Sequence, residues 1–329
     1  MYSYSVILPM RNGGEYVKEC VQSILQQGYA NFNLIVLDNN STDGSFEWIT
    51  SLKDKRIVVY RSDRDLSIEE NWGRIKDVPK NEFMTMIGHD DLLYPNYLQE
   101  MDALIAKHPQ ATLYQTHFTY INETGALIRS CLPMDEVQYG HEFLAFQFTK
   151  TLESTGTGYV MRSRDFDAAG GMPVDFPNLI FADYSLWVHL ASAGYKATSL
   201  KECFSYRLHQ STSRVTNGML YQQAFSRYIQ FLKESMQKHP GIKEVVNRYG
   251  LSFLLYYCES LAHRLLKTPT RQRSLKVGDW VAKCENFAAD LIPGQAFKPR
   301  DVFRIRIAIQ LDRSAWGRGI FKIYKKTVG

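Results

Sequence analysis

The run SVILPMRNGGEYVKECVQSILQQGYANFNLIVLD, residues 5–38, decides the fold. It reads as strand, helix, strand. The apolar run 5–9 is short and ends at Pro9, and 15–27 sets Tyr16, Val17, Cys20, Val21, Ile24 and Leu25 at helical spacing. Residues 33–38 (NLIVLD) then return to an apolar run closed by an acid. The alternation continues with a helix at 45–52, a strand at 57–61 and a helix at 68–76. A strand at 83–87 follows and runs straight into His89, Asp90 and Asp91. This β-α-β-α-β-α-β order predicts an α/β fold, a mostly parallel sheet flanked by helices on both faces. Ligands of such sheets bind beyond the carboxyl ends of the strands, here 9–13, 38–41 and 88–91.

Working outward, the pattern gives a helix at 97–107, strands at 112–116, 118–122 and 127–131, and a helix at 184–193. From about residue 219 it changes to long helices at 219–237, 242–267 and 274–291, followed by a basic tail. The expected organisation is an α/β domain at 1–215, in halves of about 1–95 and 96–215, and a helical region at 216–329. With 45% apolar and 22% charged residues the chain is ordinary globular protein. The net charge of +5 is uneven: residues 300–329 carry eight Lys/Arg against two acids, leaving the first 299 near −1. The body therefore needs no polyanion, and no nucleic-acid partner is expected. Five scattered cysteines without a C-x-x-C pair indicate neither a zinc site nor a disulfide framework and fit a reducing cytosol. No signal peptide is read at the start, and the apolar stretch 251–266 is too short to span a bilayer. The expected location is cytoplasmic, soluble or peripheral on the cytoplasmic face of the membrane.

The densest motif is MIGHDDLLYP at 86–95. Adjacent carboxylates at a strand mouth repel one another unless a cation sits between them. Hard oxygen ligands suit Mg²⁺ or Mn²⁺, which would also bridge a diphosphate. The plainer reading is a solvated turn with Asp as a helix cap. VLDNNSTDGS at 36–45 puts Asp38 and Asn40 just past the second strand, where a carboxylate can accept from a base or ribose, while Ser41, Thr42 and Asp43 suit a helix start. ILPMRNGGEY at 7–16 lacks G-x-G-x-x-G, so a dinucleotide fingerprint is disfavoured.

Together SVILPMRN at 5–12, LDNNSTDGS at 37–45, ENWGRIKDVPKNEFMTMIGHDD at 70–91 and GGMP at 170–173 resemble the GT-A fold glycosyltransferases, specifically the large inverting family two. The resemblance covers roughly residues 3–212. It implies a nucleotide-sugar donor, most often UDP-linked, bound by the first half, and a glycan or lipid-linked acceptor hydroxyl in the second, as in cell-surface polysaccharide synthesis. By position Pro9, Arg11, Asn12, Glu15 and Asp38 hold the nucleoside, Asn40 lies beside them, and Asn71 matches a family asparagine. Asp90 and Asp91 match the acids that carry a divalent cation, Mn²⁺ or Mg²⁺. The family's first acid is Gly88 here, which leaves open which of the two binds metal and whether His89 helps. Asp183, opening a helix after GGMP, matches the catalytic base that takes the acceptor proton, with Ala182 in place of the usual Glu. Helix capping is the alternative for Asp183. In YRLHQSTSR at 206–214, Arg207 is placed to neutralise phosphate, and His209 to complete the metal sphere or meet the diphosphate.

The tail interleaves Phe303, Ile305, Ile307, Ile309, Leu311, Trp316, Ile320, Phe321, Ile323 and Tyr324 with basic residues, partly alternating and partly helical. Such a segment can lie on an anionic membrane surface, or pair helices against the catalytic domain or a second subunit of a homo-oligomer. Two other readings stay open. A sugar nucleotidyltransferase would want a Gly-rich, basic loop after the first strand, of which MRNGGEY is a poor version. A catalytically weak glycan-binding or scaffolding relative would explain Gly88 and Ala182.

Overall fold

The structure, a computed structural model, describes residues 1–209 and 218–328. It divides into two compact units, Met1–Asp175 with Phe181–Ser211, and Phe176–Ile180 with Thr212–Gly329. The expected boundary between 215 and 216 lies outside the described residues.

The first unit begins with β1 (Tyr4–Met10), α1 (Gly14–Leu25), β2 (Phe32–Asp38), α2 (Ser45–Ser51), β3 (Ile57–Arg61), α3 (Ile68–Gly73) and β4 (Phe83–Met86). There follow β5 (Leu92–Leu93), α4 (Tyr97–Lys107), β6 (Leu113–Ile121), β7 (Leu127–Ser130), β8 (Val137–Gln138) and α5 (Gly140–Thr149). β9 (Tyr159–Arg162), α6 (Ser163–Ala168), α7 (Ala182–Ser192) and β10 (Lys196–Arg207) complete it. One sheet runs in the order β3-β2-β1-β4-β9-β6-β10-β5, with β7 on β6 and β8 on β10. All seven residues of β1 are buried, which is why that stretch reads as an unbroken apolar run.

Strand direction places the site. β3, β2, β1 and β4 are mutually parallel. β9 is antiparallel to both β4 and β6, so two reversals restore the original direction in β6, and β10 is parallel to β6. The carboxyl ends of β1, β2, β4 and β10 therefore open on one edge of the sheet. The two strands expected at 112–116 and 118–122 are a single strand, β6. It is buried at every residue except a half-buried His117, so the sequence offers no in-out alternation to mark its true extent.

The second unit consists of α8 (Gly218–Lys238), α9 (Pro240–Lys267), α10 (Val277–Leu291), α11 (Phe303–Asp312) and α12 (Ala315–Val328), with short 3₁₀ turns. Its core gathers Phe225 against Phe253, Tyr257, Trp280 and Phe287. The alternating FRIRIAI segment is helical, since a period-two pattern over a few residues does not by itself select a strand. Among the described residues no helix is long and apolar enough to cross a membrane.

Candidate active site

At the end of β2, Asp38 is fully buried and its two carboxylate oxygens each accept from the Ser41 N–H at 3.3 Å. Arg61, at the end of β3, reaches the same carboxylate at 3.4 Å. Asn71 and Arg74 brace this strand end from below. Arg74 donates to the Asp38 carbonyl at 3.2 Å and to Asn71 Oδ1 at 3.0 Å, and Asn71 lies against the Leu37 carbonyl. The two asparagines on the rim do backbone work. Asn12 (φ 48°) and Asn40 (φ 52°) adopt the left-handed conformation that Asn tolerates better than most side chains. Asn12 donates its N–H to Ser41 Oγ and accepts from the Thr42 N–H at 2.8 Å, tying the β1 and β2 loops together. Arg11 and Asn40 both engage Asp65, a residue without a motif to announce it. Pro9 is buried within β1 opposite Leu37, whereas Glu15 points outward and pairs with Lys18 one turn along α1.

At the end of β4 the acidic pair divides its tasks. Asp91 is buried. One of its oxygens accepts from the Thr157 hydroxyl at 2.8 Å and the other from the Arg207 N–H at 3.0 Å. Burial, and then the charge of Asp90, pushes its carboxyl well above the ordinary range. Asp90 is half-exposed, and its Oδ2 lies 2.5 Å from Nε2 of His209. The Arg207 side chain is fully buried and its donors are taken up. Nε donates to the Asp90 carbonyl at 2.7 Å, Nη1 to the Glu123 carbonyl at 3.1 Å, and Nη2 to Glu19 at 2.6 Å. Its guanidinium also lies over the Tyr16 ring, which in turn lies beside His209. Gly88 has a steric reason to be glycine: a Cβ there would sit 2.7 Å from Asp90 Oδ1 and 3.0 Å from Asp91 Oδ2. His89 packs close to Gly13, and burial lowers its imidazole pKa while the Asp90 charge partly offsets this.

Asp183 stands in the first turn of α7, directly after Phe181, whose φ of 68° is a strained, left-handed value for a bulky residue. Burial pushes the Asp183 carboxyl up to about 6. Tyr206 is half-buried on β10. Its phenol is raised by burial and then by the charges of Asp91, Asp90 and Asp183, so all three carboxylates lie within electrostatic reach of one hydroxyl. Trp187 packs beneath and donates to the Thr155 carbonyl, and Tyr159 lies against its ring at 4.5 Å.

Thr157, Glu19 and Arg61 lie outside every motif, and Arg74 and Tyr206 lie within the motifs at 70–91 and 206–214 without standing out there. Arg61 ends a recognisable strand and Tyr206 adjoins Arg207, but nothing local marks Thr157 or Glu19. Among the described residues no three of His, Cys, Asp and Glu are gathered as a metal site.

The sequence pattern of the glycosyl transferase family 2 domain matches residues 5–168. The chain belongs to this family. The match ends before Asp183, Arg207 and His209. An uncharacterized glycosyltransferase of Rickettsia typhi is 33% identical over 103 residues, 31% of this chain and 32% of that protein. The Escherichia coli protein WfaP is 23% identical over 62% of this chain and 77% of its own. It is named as a β-1,3-glucosyltransferase acting from UDP-Glc on α-D-GlcNAc-diphosphoundecaprenol. This chain spans between 22% and 41% of the length of three curated relatives that it matches. In three dimensions the Staphylococcus aureus TarS fragment in complex with UDP-GlcNAc superposes with a TM-score of 0.67 at 12% identity, covering 99% of this chain and 92% of that one. This likeness shows a GT-A fold.

Proposed function

We propose that this family 2 glycosyltransferase moves a sugar from a nucleotide-sugar donor, a UDP-sugar, to a hydroxyl of a glycan or lipid-linked acceptor with inversion. The observation that carries the reading is the segment before β9, which meets two of the acids: a Cβ on Gly156 would lie 3.5 Å from Asp183 Oδ2, and the adjacent Thr157 donates its hydroxyl to Asp91 at 2.8 Å, so the desolvated base and the acidic pair are neighbours. The UDP-sugars named for TarS and WfaP support the choice of nucleotide, and the lipid-linked acceptor named for WfaP supports that acceptor class. Five free, buried cysteines support a reducing, cytoplasmic setting.

In this reading Asp38 receives the nucleoside, with Asn12, Asn40 and Arg11 shaping the rim and Asn71 bracing it. The Asp90 carboxylate and His209 imidazole meet at a common point, and an oxygen with a nitrogen donor is a set that Mn²⁺ accepts. Asp91, buried and accepting from Thr157 and the Arg207 N–H, ties the strand ends together. A divalent ion held by Asp90 and His209 would neutralise charge on the departing diphosphate. Asp183 takes the proton from the acceptor hydroxyl as that oxygen bonds to the anomeric carbon and the bond from that carbon to the diphosphate oxygen breaks. With its carboxyl pushed up to about 6, Asp183 is ionised at pH 7 and still basic enough to accept that proton.

The test is nucleoside-diphosphate release from UDP-, GDP- and dTDP-sugars in Mn²⁺, with and without glycan and lipid-linked acceptors. For Asp183→Asn, kcat should fall about 10²–10⁴-fold with donor affinity unchanged. The wild-type rate should fall as pH drops through about 6, and that acid limb should vanish in the variant. Stability runs the other way. The raised folded pKa favours the protonated folded state, so this contribution is present below about 4 and is lost as pH rises through about 6. Full transfer activity in Asp183→Asn would remove the base from this account.

A further inference from the structure

The second unit carries a surface that the transfer reaction does not use. In α11, Phe303 and Ile307 stand four residues apart and are 64% and 38% exposed. In α12, Trp316 and Ile320 repeat the spacing at 79% and 43% exposure, with Ile323 continuing the line. Helical residues four apart share a face, so each helix presents an apolar stripe outward. The opposite faces are already committed: Ile305 and Ala308 of α11 and Phe321 of α12 are buried within the unit. Between α9, α11 and α12 a cleft of about 570 Å³ is lined by Phe303, Ile307, Leu311 and Ile320, with Glu259 and His263 opposite.

Water-facing apolar side chains in such density cost free energy unless something covers them. Charge selects the cover. Residues 300–329 hold eight Lys/Arg and two acids, and one of those acids, Asp312, is buried against Arg273. Arg306 is exposed on α11, Arg313 is exposed just past its end and Lys322 is half-exposed beside Ile323 on α12, whereas Arg318 is buried against the Asp312 carbonyl. Arg304 already pairs with Glu259, and Arg300 with Glu285. Exposed Trp, Phe and Ile beside Arg and Lys combine an insertion face with attraction for anionic headgroups. A second copy of this chain would bring the same positive charge to the contact, which the two tails would have to overcome.

We infer that α11 and α12 form a docking surface for an anionic lipid bilayer, with Phe303, Ile307, Trp316 and Ile320 entering the interface and Arg306, Arg313 and Lys322 meeting the headgroups. This surface is independent of the catalytic reading, and its failure would leave that reading untouched.

The test is co-sedimentation of the full chain with vesicles of phosphatidylcholine containing phosphatidylglycerol, against phosphatidylcholine alone. Binding to the anionic vesicles should be roughly tenfold tighter or more and should weaken as salt is raised. The double variant Trp316→Ser, Ile320→Ser alters only exposed side chains, so it should keep its circular dichroism spectrum and unfolding midpoint while losing about tenfold in vesicle affinity. Arg306→Gln with Lys322→Gln should weaken binding without changing the fold, which separates the charge contribution from the apolar one. Absence of binding, or equal binding to neutral vesicles, overturns the proposal. So does a concentration-dependent dimer in light scattering that the same serine variants abolish, because the surface would then belong to a second copy.

Discussion

The end of β2 and the end of β10 both carry residues of the candidate site, but they are built in different ways. Asp38 is held mainly by a backbone N–H only three residues further along the chain. The acidic pair at 90 and 91 is held instead by Thr157, Arg207 and His209, which lie 66 to 119 residues away in sequence. The first arrangement needs the β2 turn and partners no more than 36 residues away, Asn12, Arg61 and Arg74. The second exists only when β4, the loop before β9 and the end of β10 have come together. The acids of both sites stand in motifs, but the distant partners that hold the second one do not.

The contrast can be broken most sharply at Arg207. Replacing it with Met removes a buried cation and leaves the Asp90 and Glu123 carbonyls without their donor. The structure should lose about 3 kcal/mol of stability, at the lower end for a broken buried pair because Glu19 is partly solvated. Urea unfolding measures this, and a loss below about 1 kcal/mol would mean that Arg207 is not what fixes the β10 end.

Gly88→Asp probes the same region from the other side. It restores the acid that the family pattern has at this position, yet its Cβ would fall against Asp90 Oδ1. We expect a stability loss of about 1–3 kcal/mol, together with lower transferase activity. A gain in metal affinity and rate would instead show that the site lacks a ligand there.

The smallest stability effect is expected at Asp38. Asp38→Asn should cost about 1 kcal/mol, since one local hydrogen-bonded turn is weakened, while donor affinity drops about tenfold by calorimetry. A stability loss as large as that of Arg207→Met would erase the distinction between local and assembled sites.

Much of the fold could be read in advance because it is periodic. β1, β2, β3 and β4 and the helices between them follow apolar runs and helical spacing, and α4 begins and ends where the pattern does. The misreadings have physical causes. A strand buried almost throughout shows no alternation, so β6 reads as two strands, and the alternating FRIRIAI leaves the helical extent of the tail open although the segment forms a helix. At the site, Asp38, Asp90 and Asp183 stood out as acids at the ends of periodic elements. Thr157, Glu19 and Tyr206 did not, since their significance comes from their neighbours in space.

By itself the sequence determined the alternation of strands and helices, the edge of the sheet where ligands meet the chain, and the basic character of the tail. These follow from spacing and charge, which are properties of the chain read in order. Only the tertiary structure decided that Asp91 is buried against Thr157 and Arg207 while Asp90 meets His209, that the Arg207 side chain is buried, and that Gly88 leaves room for two carboxylates. Burial and hydrogen-bond partners belong to contacts between distant segments, and no local pattern encodes which oxygen will find which donor.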